Sequence, residues 1–488
     1  MTRADPGSAG VRACIQVVLQ ARAPALLLGL ILACSARAEL PETVALALKK
    51  AGIPDSHIGI VVQETDGSAL LSHGEQRSFN PASVMKLVTT LAALDTLGPA
   101  HTFKTRIWVE GEVKDGVLTG NLTFQGGGDP ALTLERLWLL LREIRERGIR
   151  EIRGDVLLDN TQYELDPIDP AAFDQAPLRP YNAPVAALLA SFNTLNLRLG
   201  VTEAGITARI DGADAPPVQN QLTAGPGACN GWRERLGMRL EEGRLHLTGQ
   251  YPIACGEQTH PLNLRSPEAT FATQFRTLWR ELGGAHEGAI RPCAPALQAR
   301  LLLEFDSAPL ALLVRDTNKY SNNVMARMLF LNLGAQRYGA PATLDKGNRA
   351  LRAWLEERGL SAPELVLENG AGLSRQERIA SATLASLLTW AARQPAYYDF
   401  AASLPAIGLE GTQKNRQSDA TGRAWLKTGS LNNVRALAGY VLGADGRRRV
   451  LVFLVNHPLA GAATAAQDAL ILWAMKPPQT PPEASGKQ

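Results

Sequence analysis

Ser83 and Lys86 stand three residues apart in Phe79-Asn80-Pro81-Ala82-Ser83-Val84-Met85-Lys86-Leu87, the only Ser-x-x-Lys in the 488-residue chain. Pro81 suits the first turn of a helix, where its missing N–H is not needed, and the apolar run to Leu94 predicts that the helix enters a core. Residues three apart share a helix face, which brings the amine within reach of the hydroxyl. A serine hydroxyl is a weak nucleophile until a base takes its proton, and a lysine becomes that base when burial or a second cation destabilises its ammonium. The chemistry implied is acyl transfer by a Ser-Lys pair. The bland alternative is a surface serine and lysine on an ordinary helix. Against it stands a lysine inside an apolar run, where lysine is normally avoided.

A second cluster is Lys427-Thr428-Gly429-Ser430, the only Lys-Thr-Gly in the chain, at the predicted end of a strand. A cation, a hydroxyl and a glycine at a strand edge make a cradle for an anionic substrate backbone, the alternative being a plain turn. Ser-x-Asn occurs at Ser78, Ser191, Ser321 and Ser430, so the pattern alone says little. Ser321 and Asn323 are the choice, because they lie in a polar loop, 317–323, that opens the hydrophobic helix from Val324. Ser191 is the rival.

The elements that must position these residues follow from the pattern. A strand at His57–Gln63 and its return at Ala69–Ser72 form a hairpin that leads into the Ser83 helix. Strands are expected at Phe103–Glu110, Val117–Phe124 and Ile152–Leu158, with an amphipathic helix over 131–149. The glycine cluster at 126–128 lacks Rossmann or P-loop spacing and reads as a turn. Helices follow at 270–282, 309–316, 324–331, 344–358 and 381–394, then strands at 424–427, 434–442 and 450–456 and a closing helix over 461–475. The implied architecture is an α/β (α+β) sheet flanked by helices and split by an insertion. The expected domains are a discontinuous catalytic unit, 39–107 with 268–475, a β-rich insertion of one or two domains over 108–267, and a disordered Pro-rich tail from 476 to 488.

Residues 1–38 read as an export signal: arginines precede the apolar run Ala25–Leu32, and Ala36-Arg37-Ala38 is a small-x-small cleavage site. Cys34, after Ile31-Leu32-Ala33, offers the rival reading of lipid modification. Removing residues 1–38 takes four arginines and one aspartate from totals of 50 and 47, leaving 46 basic and 46 acidic residues. A neutral chain does not argue for nucleic acid as a partner. Export puts Cys229, Cys255 and Cys293 in a disulfide-permissive compartment. Cys229 and Cys255 are the expected pair, because the segment between them is loop-rich with one strand-like stretch at 244–248. Scattered histidines, without His-Glu-x-x-His or Cys-x-x-Cys, give no reason to expect a metal or other cofactor. No integral membrane segment is expected after signal removal, and a homo-oligomer stays open.

The order Ser-x-x-Lys, Ser-x-Asn, Lys-Thr-Gly is the signature of penicillin-binding proteins and β-lactamases. With Gly127-Gly128-Asp129-Pro130, Gly370-Ala371-Gly372-Leu373-Ser374-Arg375 and Leu409-Glu410-Gly411-Thr412, nearly all of the chain after the signal resembles the class C low-molecular-mass penicillin-binding proteins. These are exported D-alanyl-D-alanine carboxypeptidases and endopeptidases with a large insertion between their first two motifs. The resemblance implies a penicillin-recognising serine transpeptidase/β-lactamase-like fold, peptidoglycan peptides as substrates, β-lactams as covalent inhibitors and a periplasmic location.

It also implies roles. Ser83 would be the nucleophile, Lys86 its base, and Ser321 a relay of the proton to the leaving D-alanine. Asn323 would orient Lys86 and the substrate amide. Lys427, Thr428, Gly429 and Ser430 would form the substrate edge, with Lys427, Thr428 and Ser430 holding the terminal carboxylate and Lys427 lowering the pKa of Lys86 by repulsion. The backbone N–H groups of Ser83 and Ser430 would form the oxyanion hole. The chain departs from the family's pattern at Ala371, where a serine is usual, and near Asn182 and Ala183, where an acidic residue often grips a diaminopimelate amine. Here that neighbourhood carries no acid, and Asp174 lies upstream. Arg375 is a further candidate for stem contact.

Two other functions are compatible with the motifs. A β-lactamase would need a Glu-x-x-x-Asn element for its deacylating water and carries a smaller insertion. A non-catalytic peptidoglycan-binding or sensing protein would have no use for two buried lysines.

Overall fold

The computed structural model describes residues 39–477. The expected export signal, Cys34 and all of the tail except Lys476 and Pro477 lie outside the described residues.

The catalytic half is built on a five-stranded antiparallel sheet in the order Ala69–His73, Ile58–Glu64, Arg448–Asn456, Val434–Leu442, Ala424–Leu431. Side chains alternate across a strand, so Val450, Val452 and Leu454 enter one core while Leu451, Phe453 and Val455 enter another. Helices cover both faces. The helices Glu42–Ala51 and Thr464–Ala474 pack on one side, and Lys86–Leu97, Asn323–Tyr338 and Ser381–Ala391 lie on the other. A sheet covered twice needs apolar residues at every position, which accounts for the unbroken run from Val450 to Val455.

The Lys-Thr-Gly segment does not end its strand. Ala424–Leu431 runs through it, with Lys427 opposite Ala438 and Ser430 opposite Arg435. The loop expected at 317–323 is also shorter, because the helix Leu310–Lys319 continues into it. Its last polar residues find partners far away in sequence: Asn318 donates to the buried Thr90 and Ser403, and Lys319 pairs with the partly exposed Glu410. Polar residues therefore extend a helix here that local pattern would end.

Between the two halves of this unit the chain builds four more sheets. The strands expected whole at 117–124 and 152–158 are each split, because the chain passes from one sheet to the next at residues 120–121 and 153–155. The inserted structure also draws on residues outside 108–267. Lys104–Val109, Ile290–Pro292 and Arg300–Asp306 complete a sheet with Leu122–Gln125 and Val156–Asp159. The helix Pro267–Glu281 packs Phe271 and Phe275 edge-on against Phe124, with centroids 5.1 and 5.6 Å away. The boundary drawn at 267 thus falls at the start of a helix that belongs to the core of the insertion. Cys229 and Cys255 are joined in a disulfide there, and Cys293 is a free, exposed thiol.

Candidate active site

Ser83 lies in a 3₁₀ turn, Ala82–Met85, that leads into the helix Lys86–Leu97. The helix is buried from Lys86 to Leu94, as expected for one that is apolar nearly all round. Its entry is fixed from the sheet: the Asn80 N–H donates to Asn456 Oδ1 at 2.7 Å, and Asn80 Oδ1 accepts from the Ala82 N–H at 2.9 Å. Ala82 takes φ 46°, a left-handed conformation that turns Ser83 outward as the one partly exposed residue of its turn.

The Lys86 amine lies 3.0 Å from Ser83 Oγ and donates to Asn323 Oδ1 at 2.6 Å and to the Ala371 carbonyl. Two acceptors claim two N–H groups. The third direction faces the serine, so a neutral amine there can accept the Ser83 proton. Lys86 is wholly buried, and its pKa is pushed well below the usual lysine value by burial first and by Lys427 second. The repulsion expected from Lys427 is therefore the lesser cause.

Lys427 is also wholly buried. It donates to Ser321 Oγ at 2.9 Å and to the Thr428 carbonyl at 2.7 Å, and burial pushes its pKa down to about 7. Lys427 sits behind Ser321, and the Thr428 hydroxyl is bonded to Thr412 at 3.0 Å. Gly429 serves close approach. A methyl group there would lie 2.4 Å from the Pro81 carbonyl oxygen, so glycine lets this strand press against the Ser83 turn.

Ser83, Ser321, Asn323 and Ser430 open onto one cleft of about 450 Å³. Ser321, at φ 56°, forms the turn between two helices and is followed by Asn322, which caps the second by accepting the Met325 N–H. Asn323 is oriented from both ends, because its Nδ2 donates to the Tyr181 carbonyl at 3.2 Å. The rival Ser191 is elsewhere, bonded to Gln274 in the insertion. Asp174 and Arg375 also line the cleft, although the first is far in sequence from the motifs. Asp174 accepts from the Tyr181 hydroxyl and from Asn182 Nδ2, both at 2.8 Å, and Arg375 lies over the Phe173 ring.

Pattern reading missed Glu377 and Arg327 and gave Glu410, although part of a motif, no role. Glu377 is buried and accepts the N–H groups of Glu368, Asn369 and Gly370 at 3.1–3.2 Å, holding the segment whose next carbonyl meets Lys86. Its charge favours a protonated Lys86, whereas that of the buried Arg327 disfavours it. Glu410, paired with Lys319, ties down the turn that carries Ser321. No local pattern marks the Glu377 carboxylate as buried. Among the described residues no cluster of three His, Cys, Asp or Glu comes together that could hold a metal.

Comparisons with known proteins give the family and the fold. The D-Ala-D-Ala carboxypeptidase 3 (S13) family matches residues 40–476. The chain is 30% identical over 462 residues to a D-alanyl-D-alanine carboxypeptidase of Actinomadura sp. (strain R39), covering 88% of this chain and 84% of the relative. It is 26% identical to the D-alanyl-D-alanine carboxypeptidase DacB of Haemophilus influenzae, over 82% of this chain and 85% of that protein. The crystal structure of penicillin binding protein 4 (dacB) from H. influenzae shares the fold, with a TM-score of 0.72, 24% identity, and coverage of 88% of this chain and 99% of that one. It has also been solved in complex with a β-lactam.

Proposed function

The chain belongs to the D-Ala-D-Ala carboxypeptidase 3 (S13) family as a serine D-Ala-D-Ala carboxypeptidase, and on that premise we propose how its residues divide the reaction. Lys86 takes the Ser83 proton as Ser83 Oγ attacks the carbonyl carbon of the penultimate D-alanine. The backbone N–H groups of Ser83 and Ser430 hold the oxyanion, each worth about 3 kcal/mol in such sites. As the C–N bond breaks, the proton passes from Lys86 through Ser321 to the leaving amine, and water then hydrolyses the acyl-enzyme. The observation that carries this reading is the Lys86 amine, held by Asn323 and the Ala371 carbonyl with its remaining direction toward Ser83 Oγ.

Lys427, held behind Ser321, acts through that hydroxyl and through its charge, while Ser430 and the strand edge meet the substrate carboxylate. Asp174 and Arg375 place an acid and a base on the cleft wall, which suits a stem peptide that bears an amine and a carboxylate on one side chain. The same acylation opens a β-lactam ring, so the protein is expected to be a penicillin target. Action outside the cytoplasm, in the periplasm, is supported by the signal-like residues 1–38 and by the Cys229–Cys255 disulfide.

Mass spectrometry of pentapeptide and crosslinked muropeptides after incubation with the pure protein tests the reading. Loss of one alanine marks carboxypeptidase action, and splitting of a dimer marks endopeptidase action. Intact substrates, together with no covalent penicillin adduct on Ser83, would sink it.

A further inference from the structure

The inserted structure holds a cavity of about 880 Å³, close to twice the volume of the catalytic cleft, and the reaction above makes no use of it. Leu236, Met238 and Leu240 lie along it, alternate residues on the outer strand of a three-stranded sheet. Arg179, Arg233, Arg239 and Arg265 stand around that apolar floor, and Glu241 is the one acid among the lining residues. Among the described residues Arg239 reaches Glu241 at 3.5 Å, whereas no carboxylate lies in ion-pair contact with the other three arginines. Their field is felt next door: the His260 pKa is pushed down to about 4, by burial and then by Arg233 and Arg179.

This cavity and the catalytic cleft share a wall. Phe173, Asp174 and Tyr181 face the cleft, while Gln175, Ala176 and Arg179, on the same stretch of chain, line the larger cavity. The shared stretch is also the one whose Tyr181 carbonyl holds Asn323. A polymeric substrate anchored in the cleft therefore has a second, cationic and partly apolar space beside it.

We propose that this cavity is a second substrate subsite, taking a carboxylate-bearing peptide–sugar segment of the same peptidoglycan whose stem peptide occupies the catalytic cleft. Guanidinium groups bind carboxylates through paired N–H donors, and the leucine and methionine floor suits the methyl groups of alanyl and lactyl units. The inference rests on the peptidoglycan reading above and gives the insertion a task that small substrates do not need.

The test is the full chain carrying Arg233→Glu with Arg239→Glu, two exposed positions away from the reacting groups. Acylation by fluorescent penicillin and D-alanine release from a short N-acylated Lys-D-Ala-D-Ala peptide are expected to stay within about twofold of the unmodified protein. Co-sedimentation with insoluble peptidoglycan is expected to weaken about tenfold, and the unmodified protein's binding to fall with added salt. Met238→Asp, which changes the floor and leaves the arginines in place, should give the same split. Undiminished binding to the polymer overturns the proposal, as does equal loss on polymer and short peptide. Loss of self-association with polymer binding intact assigns the cavity to a second copy of the chain and overturns it too. Absence of penicillin labelling in the unmodified protein would refute the catalytic reading, while co-sedimentation still decides the subsite.

Discussion

Two groups of cations in this molecule are built in opposite ways. Lys86 and Lys427 lie behind the cleft without solvent exposure, and Arg327 is nearly as deeply placed. Arg233 and Arg239 stand exposed beside the cavity of the insertion. Burial destabilises a charged amine, so the Lys86 pKa is pushed well below the usual lysine value, whereas the second group faces solvent, where anions can reach it. The difference lies in what surrounds the nitrogen, and lysine serves the first task because its proton can leave while that of arginine cannot.

The sharpest way to break this contrast is at the buried end. Lys86→Ala is expected to reduce acylation by labelled penicillin by about 10³-fold or more, since the serine loses its base. Retention of near-normal labelling would mean that another group takes the proton. Gly429→Val should come next. It drives a side chain toward the Pro81 carbonyl, displaces the Ser83 turn and lowers acylation about 10²-fold, read by stopped-flow, with the fold kept by circular dichroism.

Smaller and more informative effects are expected in the pH profile of acylation. The rate rises with pH as Lys86 loses its proton. Lys427→Met removes a charge that disfavours protonated Lys86, so the acid limb moves to higher pH. Glu377→Gln removes one that favours it while keeping an oxygen for the three N–H groups, so the limb moves to lower pH. Shifts in the same direction would contradict the electrostatic assignment. The smallest effect on chemistry is expected from Cys229→Ser with Cys255→Ser. Opening a link across 26 residues costs the insertion about 3.5 kcal/mol by chain-entropy reasoning, seen in thermal unfolding, yet acylation should be unchanged.

Much of the catalytic side is legible in the chain. Ser-x-x-Lys and Lys-Thr-Gly are each unique, and the alternating strands and apolar helices around them define a covered sheet. The strand Val434–Leu442 falls where its pattern places it. The insertion was harder to read, because its short strands pass between sheets at breaks no longer than three residues, and its core recruits Phe271 and Phe275 from a helix that looks like part of the other unit. The polar run Thr317–Lys319 was misleading for a related reason: its partners, Thr90, Ser403 and Glu410, lie far away in sequence.

By itself the sequence determined the candidate Ser83–Lys86 pair, the helix that it leads into and the family to which these motifs point, since residue type and period are local properties. Only the tertiary structure decided that Lys427 lies behind Ser321, that Glu377 and the Ala371 carbonyl complete the surroundings of Lys86, and that Asp174 reaches the cleft. Each of those depends on burial and on partners brought together by folding, and a pKa is set by that environment rather than by the residue that bears it.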